Sequence, residues 1–227
     1  MAVGACMTNM PKVTRDGALV TIELCNPDRR NALTVEVLQA ISSAAHDASE
    51  ASVLLLQGDG PVFCSGFDMD LVRERDGYLQ QLIDALSNTI RTIRRCPATT
   101  LVQVQGAAVA GGCALALSCD VVAASATARF GYPVHQLGIS PAVTLPVLLP
   151  AAGGFARRMV TDGRLYGAKL LHEYGIVHQL LAEGEPPDTI VEQLLNRGTH
   201  AAHITKQWLN ELEHAYDNER FDGPASG

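Results

Sequence analysis

Aromatic residues are scarce in this chain of 227 residues, at 5%, and charged residues reach only 18%. With 47% hydrophobic residues the core must be built largely from Ala, Val and Leu, and the composition excludes the charged, apolar-poor class of disordered chains. Basic clusters are missing too: 17 Lys and Arg face 24 Asp and Glu, for a net charge of −7. The densest basic groups, Arg29-Arg30, Arg94-Arg95 and Arg157-Arg158, are too sparse for a nucleic-acid backbone. No uninterrupted apolar stretch approaches the roughly 18 residues that cross a bilayer, and Met1 to Pro11 has neither a basic n-region nor an apolar h-region. The expectation is a soluble, cytoplasmic protein with no nucleic-acid or membrane partner. The six cysteines, Cys6, Cys25, Cys64, Cys96, Cys113 and Cys119, form no C-x-x-C pair and have no histidines at ligand spacing. They read as buried thiols, with neither a disulfide framework nor a metal site implied. Phosphate-loop signatures, Gly-Lys-Ser/Thr and G-x-G-x-x-G, are absent as well.

What is present is alternation of strand and helix signals. Asp16-Gly17 between two strand-like runs predicts a hairpin, Lys12 to Arg15 and Ala18 to Cys25. Thr34 can cap a helix whose apolar positions are Val35, Leu38, Ile41 and Ala45. Ser52 to Leu56 is apolar without alternation, as in a strand covered on both faces. A long amphipathic helix from Leu79 to Ile93 ends at Cys96-Pro97. After it come a strand Thr100–Val104, a small-residue helix Gly111–Ser118 and a strand Asp120–Ala124. This order predicts α/β architecture with a stacked or spiral parallel sheet. Beyond Pro141 the pattern turns helical, and the tail from Glu219 to Gly227 is polar and expected to fray.

Two glycine-bearing turns stand out: Phe63-Cys64-Ser65-Gly66-Phe67-Asp68 and Gly106-Ala107-Ala108-Val109-Ala110-Gly111-Gly112. Each follows an apolar strand and leads into a helix, which places free backbone N–H groups where an anion could face them. A pair of such donors makes an oxyanion hole. The same glycines also serve tight turns and close helix packing, and spacing alone leaves both readings open.

These turns join a longer series: Asn26-Pro27-Asp28-Arg29-Arg30-Asn31-Ala32-Leu33-Thr34, Ser118-Cys119-Asp120, Phe130-Gly131-Tyr132-Pro133 and Gly138-Ile139-Ser140-Pro141. In order and spacing the series resembles the enoyl-CoA hydratase/isomerase (crotonase) superfamily, from about Lys12 to about Ala182. The resemblance implies a crotonase-like spiral of β-β-α units over 1–182, with a C-terminal helical trimerisation region and tail over 183–227. It implies a homotrimer, or a dimer of trimers. The substrate would be a coenzyme A thioester, or an acyl group on a carrier protein, with no covalently bound cofactor. By position, the oxyanion donors would be the backbone N–H groups of Phe67 and Gly111. Arg29, Arg30, Ala32, Ser65, Gly66 and Asp68 would border the coenzyme, with the arginines toward its phosphates.

The departures matter as much. The family's hydratases carry one glutamate just after the second glycine turn and another just after the Phe-Gly-x-Pro segment; here those places hold Ala114 and Val134. Neither can move a proton, and each positioned acid or base is worth roughly 10²–10⁴ in rate. Tyr132, two residues from Val134, would share its face on an extended chain and is a candidate proton donor. His135, a residue type that can serve as acid or base, is a second candidate, although adjacent residues on an extended segment face opposite ways. Asp68, by contrast, suits the dipole of the helix that follows.

The expected function is therefore stabilisation of an enolate on an acyl thioester, with decarboxylation or double-bond isomerisation favoured over ordinary hydration. The alternative is a non-catalytic acyl-CoA-binding or assembly subunit that kept the fold and lost the acid and base.

Overall fold

A computed structural model describes residues 9–213. Its strands are β1 (Lys12–Asp16), β2 (Leu19–Leu24), β3 (Val53–Gly58), β4 (Thr99–Val104), β5 (Ala107–Val109), β6 (Val121–Ser125), β7 (Arg129–Gly131), β8 (Leu165–Gly167) and β9 (Gln179–Leu181). The α-helices are α1 (Val35–Asp47), α2 (Met69–Glu74), α3 (Tyr78–Arg95), α4 (Gly111–Leu117), α5 (Leu145–Ala152), α6 (Gly154–Thr161), α7 (Ala168–Glu173), α8 (Asp188–Leu195) and α9 (Thr199–Leu212).

The main sheet runs β1-β2-β3-β4-β6-β9, and every pair after the opening antiparallel hairpin is parallel. Each parallel step needs a crossover, and α1, then α2 with α3, then α4, supply those between β2 and β6. Thr34 caps α1 as its sequence position suggests, its hydroxyl accepting from the Val37 N–H at 3.2 Å. On α3, Tyr78, Leu82, Leu86, Ile90 and Ile93 recur at helical spacing and are buried against Leu38 and Ile41 of α1 and the sheet residues Ile22, Leu54 and Leu56. Each fully buried side chain of this kind contributes about 1.5–3 kcal/mol. The continuous apolar run of β3 has its reason in a second core. Leu55, Leu101, Ala123, Leu181 and Val191 cluster on the other face, covered by Ile190, Leu194 and Leu195 of α8.

A second, three-stranded sheet has the order β5-β7-β8. Isolated parallel bridges, Leu33 with Phe67 and Cys64 with Ala108, continue it. The chain thus passes from β4 into β5 and on to α4, a β-β-α unit, and β6 passes likewise into β7. This is the expected spiral.

The described part of the C-terminal stretch packs on this same body. Lys206 Nζ donates to Ala98 O at 2.9 Å, Asn210 Nδ2 to Arg94 O at 3.0 Å, and a His203 ring nitrogen lies 3.0 Å from Ala51 O. The tail from Glu219 lies outside the described residues. One thiol expectation is corrected: Cys25 is disulfide-bonded. Cys64, Cys96, Cys113 and Cys119 are free and buried, and Cys6 lies outside the described residues. Among the described residues no helix is long and apolar enough to cross a membrane.

Candidate active site

The two glycine turns meet. Gly66 sits at φ +95°, and a Cβ there would lie 3.1 Å from Val109 O and 3.8 Å from the Gly111 nitrogen. Gly112 is closer still to its neighbour: a Cβ would fall 2.7 Å from Cys64 Cβ and Cys64 O, so only glycine lets α4 start against the first turn. Between them Ala110 adopts φ 50°, ψ −114°, a region disfavoured for any residue with a Cβ. Such strain persists only where the surroundings fix it. Here the Ala110 N–H donates to Gly131 O at 2.8 Å, and Ala110 O accepts from Ala114 N at 3.0 Å.

Peptide planarity then directs the two donors. Gly66 O accepts from the Leu33 N–H at 2.8 Å, so the Phe67 N–H, on the other side of the same trans peptide, points away from Leu33 toward the second turn. Ala110 O points along α4, so the Gly111 N–H points out of the helix start. Among the described residues neither N–H meets an acceptor. Phe67 and Gly111 both line a cleft of about 170 Å³.

The walls of that cleft are largely apolar: Ile83 and Leu86 from α3, Met69 from α2, and Leu137, Ile139, Pro141 and Val143 from the segment after β7. Among the described residues no carboxylate, imidazole, ammonium or guanidinium group lines it. Ser65, Ser140, Thr144 and Tyr132 supply its polar side chains. Tyr132 is fully buried, and among the described residues its hydroxyl has no hydrogen-bond partner. Burial, with the Cys113 thiol alongside, pushes the phenol well above its ordinary value near 10, so it is a neutral acid at any physiological pH. The same burial pushes the Cys113 thiol up to about 12, which leaves it un-ionised.

The acid/base candidates separate. Tyr132 and Val134 both line the cleft, as their two-residue spacing suggests, even though Val134 begins a short 3₁₀ turn rather than continuing a strand. His135 needs a correction: it is exposed in that turn beside Gly163, whose Cβ would lie 3.5 Å from Nδ1, and it does not border the cleft. Ala114 is completely buried beneath the site. Pro141, Val143 and Thr144 form a wall of the cleft.

A second, polar hollow of about 420 Å³ adjoins the first. It is lined by Asp28, Arg29, Arg30, Ala32, Ser65, Phe67, Asp68, Met69 and Asp70, which include all but Gly66 of the residues expected to border a coenzyme. Their charges are less available than the sequence suggests. Arg29 is already bridged to Asp68 at 2.9 Å and Asp70 at 2.6 Å, and buried Asp68 also caps α2 by accepting from the N–H groups of Asp70 and Leu71. Asp68 therefore holds the helix and the arginine. Arg30 makes no ion pair among the described residues. Asn31 is a residue that sequence reading did not single out for a role. Buried at φ +54°, it accepts from Asn26 N and donates to Asp59 O and Val62 O, pinning its own loop to the one that follows β3. Its place directly after the two arginines, in a turn able to take positive φ, is the only signal that could have found it.

The sequence family described as enoyl-CoA hydratase/isomerase matches residues 14–222. The chain belongs to this family. It is 30% identical over 179 residues to the human enoyl-CoA hydratase domain-containing protein 3, mitochondrial, which covers 75% of this chain and 57% of that protein. The chain thus spans little more than half the length of that relative. Among solved structures, an enoyl-CoA hydratase from Polaromonas sp. JS666 superposes with a TM-score of 0.81 at 28% identity, covering 93% of this chain and 90% of its own. A second, from Thermobifida fusca YX and solved in complex with CoA, has a TM-score of 0.81 at 26% identity, covering 95% and 91%. The α/β spiral is the fold of these family structures.

Proposed function

We propose that this chain binds an acyl thioester of coenzyme A, or of a carrier protein, with the thioester oxygen on the N–H groups of Phe67 and Gly111, and decarboxylates a malonyl-type acyl group. The observation that carries this reading is the cleft lining: two free backbone donors, one buried neutral phenol, and no base. Hydration needs a base to activate water, and isomerisation needs one to remove a proton. Decarboxylation needs neither. The bond between the α-carbon and the carboxylate breaks, CO₂ leaves, and the electron pair enters the thioester as an enolate whose oxygen the two N–H groups hold. The Tyr132 hydroxyl then gives its proton to the α-carbon, and the phenolate recovers one from water. An apolar wall without a cation also gives the departing carboxylate little stabilisation, which favours its loss as neutral CO₂. The polar hollow at Arg30 and Ala32 would take the coenzyme, an arrangement supported by the CoA complex of the Thermobifida relative.

The same reading includes assembly. Residues 183–227 would serve as a helical trimerisation region of a homotrimer, supported by the exposed Ile204, Trp208, Leu209 and Leu212 of α9. A non-catalytic thioester-binding subunit is the second reading, favoured by the apolar Ala114 and Val134.

The test is mass-spectrometric product analysis with malonyl-, methylmalonyl-, crotonyl- and 3-hydroxyacyl-CoA, together with detection of intact complexes. Acetyl-CoA and propionyl-CoA are the expected products. Binding without turnover selects the second reading, and efficient addition of water to crotonyl-CoA would overturn the assignment.

A further inference from the structure

Phe67 is singular in lining both hollows with a large rigid ring; only Ser65 and Met69 share that position with it. Its ring edge is fixed. Cε1 lies 3.3 Å from the place a Cβ would occupy on Gly111, next to Leu33 Cδ1 at 3.1 Å and Leu86 Cδ2 at 3.5 Å. The ring is thus wedged against the start of α4, between the mouth where a coenzyme would enter and the apolar wall of Ile83, Leu86 and Val143. The space beyond it is the apolar cleft of about 170 Å³, and the ring forms part of its lining. Buried Tyr132 and Val134 border the same space and limit its depth.

We infer that the Phe67 side chain, distinct from its backbone donor, is the specificity-determining element that restricts this site to short acyl groups. The inference rests on the thioester reading of the cleft. It assigns two roles to one residue: the N–H faces the carbonyl oxygen, and the ring fills the volume a longer chain would need. Replacing the ring leaves the peptide donor in place, so the two roles separate experimentally.

The experiment measures the dissociation constants of acetyl-, butyryl-, hexanoyl- and octanoyl-CoA by calorimetry for the wild-type chain, Phe67→Leu and Phe67→Ala, with circular dichroism confirming folding. The readout is the ratio of octanoyl to acetyl affinity within each protein. In the wild type octanoyl-CoA is expected to bind at least tenfold more weakly than acetyl-CoA. The ratio should narrow in Phe67→Leu and approach one in Phe67→Ala. A wild-type ratio near one, or the wild-type ratio retained in folded Phe67→Ala, overturns the inference while leaving the thioester site standing. Failure of folded wild-type protein to bind any of the four, or free coenzyme A, overturns the thioester reading and this inference with it.

Discussion

Two regions of this molecule bury polar groups, and they treat them in opposite ways. At the junction of α9 with β4 and α3, buried Lys206 reaches Asp120 at 2.6 Å and Ala98 O at 2.9 Å. Asp120 Oδ2 also accepts from the Thr100 N–H at 2.8 Å and the Thr100 hydroxyl at 2.9 Å. Arg94 closes the group, pairing with Asp120 and with Glu213. Asn210 Oδ1 is the one buried side-chain atom of this junction without a partner. In the cleft the reverse holds: among the described residues the Phe67 and Gly111 N–H groups and the Tyr132 hydroxyl have no partners. A buried unmade hydrogen bond costs about 1–3 kcal/mol. At the cleft three unmet donors border one space, whereas the junction leaves a single acceptor, Asn210 Oδ1, unmet, so the cleft suits a ligand oxygen while the junction holds structure.

The comparison is broken most sharply at Gly111. Gly111→Pro deletes the donor, and the proposed turnover of a malonyl-type thioester should fall about 10³-fold. Gly111→Ala retains the N–H but places a Cβ 3.1 Å from Leu33 Cδ1 and 3.3 Å from Phe67 Cε1, so its loss should be several-fold smaller. Equal losses in steady-state kinetics would remove the donor from the mechanism. Tyr132→Phe tests the side chain. Deleting an unpaired buried hydroxyl should raise stability by about 1 kcal/mol while lowering turnover about 10²-fold. A variant both less stable and fully active would mean that the hydroxyl is satisfied in solution and chemically idle.

How far the sequence reveals this contrast depends on the range of the interactions. The hairpin, α1, β3 and α3 are legible because turn chemistry, capping and periodicity are local signals. The strands β5, β7, β8 and β9 are three residues each, too short for any period to register, and they exist because neighbouring backbone pairs with them. At the site, Phe67 and Gly111 are legible through the motif series, since glycine turns leave a sequence mark. Tyr132 is legible through its two-residue spacing from Val134. The arginines are legible only as residues: that Arg29 is already bound by Asp68 and Asp70 is a fact of packing between segments about forty residues apart. Asp120 is legible only as a motif residue, and Lys206, its partner, lies on a distant helix and leaves no local sign.

That pairing supplies the next test. Lys206→Met leaves Asp120 with only the Arg94 contact at 3.5 Å and its threonine donors, so unfolding free energy should drop by about 3 kcal/mol. In a double-mutant cycle with Asp120→Asn, the two losses should sum to more than the double variant's loss, because both remove one interaction. Activity per folded molecule should hold. Additive losses would mean that the junction is a set of independent contacts, and the contrast with the cleft would lose its structural half.

The smallest effect concerns a polar group that is paired yet titratable. The His178 N–H donates to Val122 O at 2.8 Å and its ring Nδ1 accepts from the Val122 N–H at 2.8 Å, which ties the entry of β9 to β6. An acceptor nitrogen must be unprotonated. Partial burial lowers the imidazole below its ordinary 6.5; His172 adds to this, and Asp120 opposes it. The folded state therefore holds this proton less tightly than the unfolded chain. Below about pH 6.5 the unfolded state binds more proton, so stability falls as pH drops through that value, and above it the group contributes no slope. His178→Gln keeps a side-chain acceptor but cannot titrate, so its urea midpoint should change less than the wild type's between about pH 7 and 5.5. Parallel midpoints would show that the ring's bond to Val122 is not what fixes its protonation, and that pairing alone, without the titration it imposes, accounts for the edge of the sheet.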